Sequence, residues 1–252
     1  MDDKNIYAVF LDIDGTLMSG GVIPQQNIDA IKRAQAKGHK IFINSGRAMG
    51  NINDEIRSIG FDGYVAGIGC NVIYGDETLL AVTVETSDAA KVFDYFTRTG
   101  RSIVLEGEKM LIANSDCKWQ DFETAADGED YLRRFGNERI TKIFIPHILT
   151  QRELDAIGKK YLIYQHSDYA EFSAKNCTKA TGMDLILKHC GIPVERSIAM
   201  GDSSNDIEML KFAGISVAMG DGEKAVRDMC KIITAPAGEG GVADALERLL
   251  GV

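Results

Sequence analysis

Asp12 and Asp14 follow the apolar run AVFL and stand two residues apart, just ahead of Gly15 and Thr16. Side chains at i and i+2 of an extended segment point the same way, so this spacing aims two carboxylates at one place. Like charges so placed need a cation or a shared proton. Two further stretches carry related chemistry. Asn44-Ser45-Gly46-Arg47 follows KIFI, and Gly201-Asp202-Ser203-Ser204-Asn205-Asp206 follows SIAM. Asp12, Asp14, Asp202 and Asp206 would form an oxygen-only donor set, which suits a hard cation such as Mg²⁺. Ser45 and Gly46 offer a hydroxyl and a backbone N–H ahead of a helix-like stretch, which suits phosphate. Lys179 opens another helical stretch, where its charge opposes the macrodipole unless an anion is near. Lys175, four residues earlier, competes with it.

Each piece also has an ordinary structural reading. A lone aspartate after a strand caps or turns the chain, Ser45 can be an N-cap, and most lysines are simply solvated. Three such loops together favour a site over three coincidences. Other signals are weaker. Gly67-Ile68-Gly69 lacks the third glycine of a dinucleotide loop, and neither GxxxxGK[ST] nor GxSxG occurs. Trp119 and the tyrosines of the middle segment read as core of that segment rather than a base-stacking platform.

The elements that must position these residues alternate. IYAVFLDID reads as a strand, PQQNIDAIKRAQAKG as a helix with Ile28, Ile31 and Ala34 at helical spacing, and HKIFINSGR as a strand. MGNINDEIRSIG is helix-like, and GYVAGIGCNVIYGDETLLAV carries a hairpin turn at Gly75-Asp76. Strands ERSIAMG, ISVAMG and KIITA alternate with helices TGMDLILKHCG, SSNDIEMLKFAG, EKAVRDMCK and GVADALERLLG near the C-terminal end. That rhythm predicts an α/β fold with a Rossmann-like parallel sheet covered on both faces. Ligands of such sheets sit beyond the carboxyl ends of the strands, where all three loops fall. The middle has shorter apolar runs: SDAAKVFDYFTRTG and QRELDAIGKK as helices, and RSIVLEG, KMLIAN, KIFIPHI, YLIYQH and YAEFSA as strands. It reads as an α+β domain, residues 84–175, inserted into a core made of residues 1–83 and 176–252.

Composition narrows the function classes. The chain has 252 residues, is 45% hydrophobic and carries a net charge of −9, with no basic run. Nucleic acid and anionic membrane are therefore poor partners. No apolar run approaches the roughly 18–20 residues that span a bilayer, and the acidic start MDDKN is no signal peptide. Five scattered cysteines form no CxxC pair, which argues against a disulfide framework or zinc site. The expectation is a soluble cytoplasmic protein, monomer or homodimer.

DIDGT, NSGR, a lysine opening a helix and GDSSND, in that order, resemble the haloacid dehalogenase superfamily of phosphatases. The long insertion between the second and third motifs resembles the Cof-type branch, whose inserted α/β module is a cap over the site. The resemblance implies a Mg²⁺-dependent phosphatase acting on a small-molecule phosphate ester, with sugar phosphates as the expected class. It implies Asp12 as nucleophile, forming an aspartyl-phosphate, and Asp14 as general acid and then base. Asp12, the backbone carbonyl of Asp14, and Asp202 would hold Mg²⁺, with Asp206 beside them. Ser45, Gly46, Lys179 and Asn205 would hold the substrate phosphate. Asn44 stands where the family usually has threonine or a small residue, Ile13 replaces a common leucine, and neither takes a role. NCTKATG departs from the family's usual lysine-glycine, and GIGCN from its asparagine-glycine. Two other classes compete: a phosphometabolite-binding module with little turnover, which would not need Asp14, and a receiver-like signalling domain, against which the large insertion speaks.

Overall fold

A computed structural model describes residues 6–114 and 122–252. Within it the chain separates into two compact units. The first comprises residues 1–46, 55–79 and 178–252, and the second residues 47–54 and 80–177. The segment 47–54 therefore groups with the second unit, apart from the sequence around it.

The first unit is built on an eight-stranded sheet. Its order is Ile232–Ile233, Ile215–Ala218, Ser197–Gly201, Ala8–Leu11, Lys40–Asn44, Gly63–Ala66, Asn71–Tyr74 and Glu77–Ala81, the last running across the unit boundary. The first six are mutually parallel, and Asn71–Tyr74 turns back antiparallel on Gly63–Ala66. Parallel strands covered on both faces carry continuous apolar runs, and Ala8, Val9, Phe10 and Leu11 are all fully buried. The helix Gln25–Ala36 begins after Pro24 and buries Asn27, Ala30, Ile31 and Ala34. Its inner face is thus offset from the expected Ile28 row, because the buried Asn27 amide bonds Leu17 and Ala243. The hairpin at Gly75-Asp76 forms as expected, with Gly75 at φ +54°.

Four stretches differ from the sequence reading, one of them the strand Phe122–Ala125, which has no counterpart there. MGNINDEIRSIG is a single 3₁₀ turn, Met49–Asn51, followed by a five-residue helix, Asp54–Ser58. KIITA keeps only Ile232–Ile233 as strand. Helix Gly128–Phe135 carries too few apolar residues for its periodicity to stand out, since it buries only Gly128 and Tyr131.

The second unit has a six-stranded sheet of order Tyr161–Gln165, Ala170–Ala174, Ile140–Ile145, Val104–Gly107, Leu111–Asn114 and Phe122–Ala125. Helices Thr86–Arg98, Gly128–Phe135 and Gln151–Gly158 complete it. Phe93, Phe96, Tyr131, Ile143 and Phe172 lie in its core. In the same unit Lys142 is buried between Glu106, at 3.1 Å, and Glu171, at 3.4 Å. The Ala48 N–H donates to Glu106 Oε2, and a Cβ at Gly50 would lie within 2.7–2.9 Å of backbone at Gly107, Lys109 and Met110. Trp119 and Cys117 lie outside the described residues; among the described residues the other four cysteines form no disulfide.

Candidate active site

Strand register brings distant residues together. Leu11 pairs with Ile43 on one side and Met200 on the other, and Asn44 pairs with Val65. The Asp12 N–H donates to Met200 O at 3.1 Å, and the Ser45 N–H to Val65 O at 2.8 Å. Asp12, one residue past the strand Ala8–Leu11, is therefore level with Asn44 and Gly201, the last residues of the two parallel strands beside it, with Ser45 and Asp202 one residue further on. All belong to the first unit.

The chain then turns sharply. Leu17 N–H bonds Asp12 O, Met18 N–H bonds Ile13 O, and Gly15 N–H bonds Met18 O. Gly15 sits at φ +79°, and a Cβ there would lie 2.5 Å from Asp202 Oδ2. Only glycine meets both demands. The strand ends at Leu11, so its alternation does not extend through the two aspartates. Asp12 is 3% exposed, while Asp14 is exposed at the turn. The carboxylates that converge are those of Asp12, Asp202 and Asp206, which offer oxygens lying within 4.8 Å of one another.

Lys179 is the cation among them. It is 1% exposed, with Nζ 2.7 Å from Asp12 Oδ1, 2.5 Å from Asp206 Oδ1 and 3.3 Å from Asn205 Oδ1. It opens helix Lys179–Cys190, which Thr178 and Thr181 cap reciprocally. Lys175, in contrast, is exposed and donates to the Lys159 carbonyl. Asp206 has its other oxygen taken by the N–H groups of Asp202 and Ser203, at 3.0 and 3.2 Å. The capping function expected of a lone Asp202 thus falls to Ser203 and Asp206. Asp202 itself is half-buried and accepts from Thr16 Oγ1 at 3.3 Å, while its carbonyl accepts from the Glu223 N–H at 2.7 Å.

Ser45 is buried and Gly46 lies next to Asn205, whose Nδ2 would be 4.0 Å from a Cβ on Gly46. No regular helix starts there among the described residues, so the helix-dipole contribution expected at this loop is absent. The hydroxyl and N–H remain. Thr16, Glu223 and Asn44 were not assigned roles from sequence. Thr16 was legible as part of DGT, whereas Glu223 belongs to a loop whose composition carries no chemical signature.

Burial dominates the electrostatics. It raises the Asp12 carboxyl to about 8; Lys179 pulls that value down and Asp206 pushes it up. Burial, then Asp206, raises Asp202 to about 7. Burial works against the charge on Lys179, but Asp12 and Asp206 outweigh it and hold the ammonium protonated. Three carboxylates facing one ammonium leave a deficit of positive charge. An all-oxygen donor set in that state fits a hard divalent cation.

The model of a family described as haloacid dehalogenase-like hydrolase matches residues 9–246. A phosphatase of Bacillus subtilis, YwpJ, is 25% identical over 96% of this chain and 99% of its own length. A putative bifunctional phosphatase/peptidyl-prolyl cis-trans isomerase of Streptococcus pyogenes is 26% identical over 98% of this chain; the chain spans 54% of that protein. Among solved structures, a sugar phosphatase of HAD subclass IIB, BT4131, superposes with a TM-score of 0.81 at 27% identity, covering 98% of this chain and 100% of that one.

Proposed function

Because the chain belongs to the haloacid dehalogenase-like hydrolases and is a phosphatase, we propose that it hydrolyses small phosphorylated metabolites through an aspartyl-phosphate on Asp12, with Mg²⁺ as cofactor. Sugar phosphates are the preferred substrate class, since the similar structure BT4131 is a sugar phosphatase. The observation that carries the mechanism is the buried Lys179 ammonium bonded at once to Asp12 and Asp206, beside Asp202.

Phosphoryl transfer asks for positioning and charge neutralisation more than for covalent chemistry. An Asp12 oxygen attacks phosphorus as the ester P–O bond breaks. Asp14, exposed at the turn two residues on, gives its proton to the leaving oxygen. Asp14 then takes a proton from water as that water attacks phosphorus, and the Asp12–phosphorus bond breaks to release phosphate. Lys179 stabilises the Asp12 carboxylate against the burial that otherwise keeps it protonated, and neutralises charge on the phosphoryl oxygens. Ser45, the Gly46 N–H and Asn205 hold those oxygens. Asp12, Asp202 and the Asp14 carbonyl would hold Mg²⁺, whose charge lowers the repulsion between a carboxylate and an anionic ester. Both Asp206 oxygens already accept hydrogen bonds, which favours a supporting role through water or Lys179.

The second unit is the cap in this reading, and residues 84–175 supply substrate selection. Among the described residues no helix is long and apolar enough to cross a membrane, in keeping with cytoplasmic metabolites as substrates. The test is Asp12→Asn, assayed for phosphate release from a metabolite panel with Mg²⁺ and with EDTA. Release should fall by a factor on the order of 10³ or more in the variant, while its far-ultraviolet circular dichroism stays unchanged. Wild-type rates in the variant would overturn the mechanism.

A further inference from the structure

Asn44 ends the strand Lys40–Asn44 and is fully buried. Its Nδ2 donates to the backbone carbonyl of Lys179 at 3.1 Å, across 135 residues of sequence. That carbonyl has no need of a second partner. Lys179 opens its helix, and a carbonyl in the first turn already accepts from the N–H four residues on. The Asn44 Oδ1, meanwhile, has no hydrogen-bond partner among the described residues. A buried amide with one end unpaired costs free energy that a valine or isoleucine at a strand end would not. The amide orientation is fixed, because a carbonyl can only face the NH₂ end.

Two close approaches hold the same turn of helix. A Cβ on Gly69, at φ +86°, would clash with the Thr178 carbonyl, and one on Gly182 with Val65 Cγ1. They fix how near the helix lies to the sheet, while the Asn44 bond fixes the backbone atom next to the Lys179 side chain. We propose that Asn44 is a positioning residue: it ties the Lys179 backbone to the core strand so that the ammonium stays between Asp12 and Asp206. This rests on the reading of Lys179 as a phosphate-site cation.

The test compares Asn44→Ala in the wild-type chain and in a Lys179→Met chain. The readouts are kcat/KM on p-nitrophenyl phosphate with Mg²⁺, inorganic phosphate affinity by calorimetry, and melting temperature. In the wild-type chain Asn44→Ala should lower kcat/KM and phosphate affinity about tenfold, with melting within a few degrees. In the Lys179→Met chain the same change should alter phosphate affinity less than twofold, because its effect runs through the missing ammonium. A loss below twofold in the wild-type chain, or an equal loss in both chains, overturns the proposal. If Asn44→Ala does not fold, Asn44→Thr preserves the volume and is held to the same criteria. Lys179→Met at wild-type activity would sink the reading of Lys179 itself. A damaged Lys179→Met beside an unaffected Asn44→Ala would sink only the inference.

Discussion

Raising the pH from 6 to 8 should tighten Mg²⁺ binding to the metal-free protein by at least about tenfold. The sign follows from burial. Without metal, Asp12 titrates near 8 and Asp202 near 7, so both largely keep their protons at pH 6. A cation must displace those protons, and binding strengthens as each carboxyl ionises unaided. Proton competition weakens binding strongly at pH 6, where both carboxyls keep their protons, and little at pH 8. The dependence should steepen toward two protons per ion below pH 7 and flatten above about 8. Isothermal calorimetry in buffers of different ionisation enthalpy counts the released protons directly. Close to two should leave at pH 6 and fewer than one at pH 8. A proton count below about 0.5 at pH 6, or an affinity varying less than fivefold across the range, would refute the reasoning.

Gly15→Ala forces an L residue to φ +79° and a methyl against Asp202. The backbone strain alone should cost about 1–2 kcal/mol, seen as a melting point several degrees lower, and Mg²⁺ affinity should fall at least about tenfold through Asp202; unchanged melting and binding would contradict the account of that turn. In the second unit, Lys142→Met leaves the buried Glu106 and the partly buried Glu171 without their shared cation. Urea denaturation should register a loss of about 3–5 kcal/mol, partly recovered by adding Glu106→Gln.

The aspartates of DIDGT and GDSSND, Ser45 and the alternating core were legible because their signals are local. An apolar strand, a glycine and a carboxylate in fixed order describe a strand end without any tertiary knowledge. What was illegible depended on where one element stops relative to another. The strand finishes at Leu11 rather than running through Asp14, and that single residue separates a buried carboxylate from an exposed one. Lys175 competes with Lys179 in sequence; the capped start of the helix at Lys179 and the place of its ammonium between Asp12 and Asp206 decide between them. Asn44 reads as a departure from a pattern, because its partner is a backbone atom that no residue type announces. The helix Gly128–Phe135 went unseen for a different reason: its inner face is too narrow to leave a period.

The grouping of residues 47–54 with the second unit bears on how such proteins can be recombined. The chain passes from one unit to the other four times, at 46/47, 54/55, 79/80 and 177/178, not the two times of a simple insertion. A graft that exchanged only residues 80–177 for the equivalent of another phosphatase would strand Gly50 without the Gly107–Met110 backbone it packs on, and the Ala48 N–H without Glu106. The second unit is drawn from two separated stretches of the chain. A workable chimaera has to move both, and the shorter piece begins one residue after the Ser45-Gly46 loop.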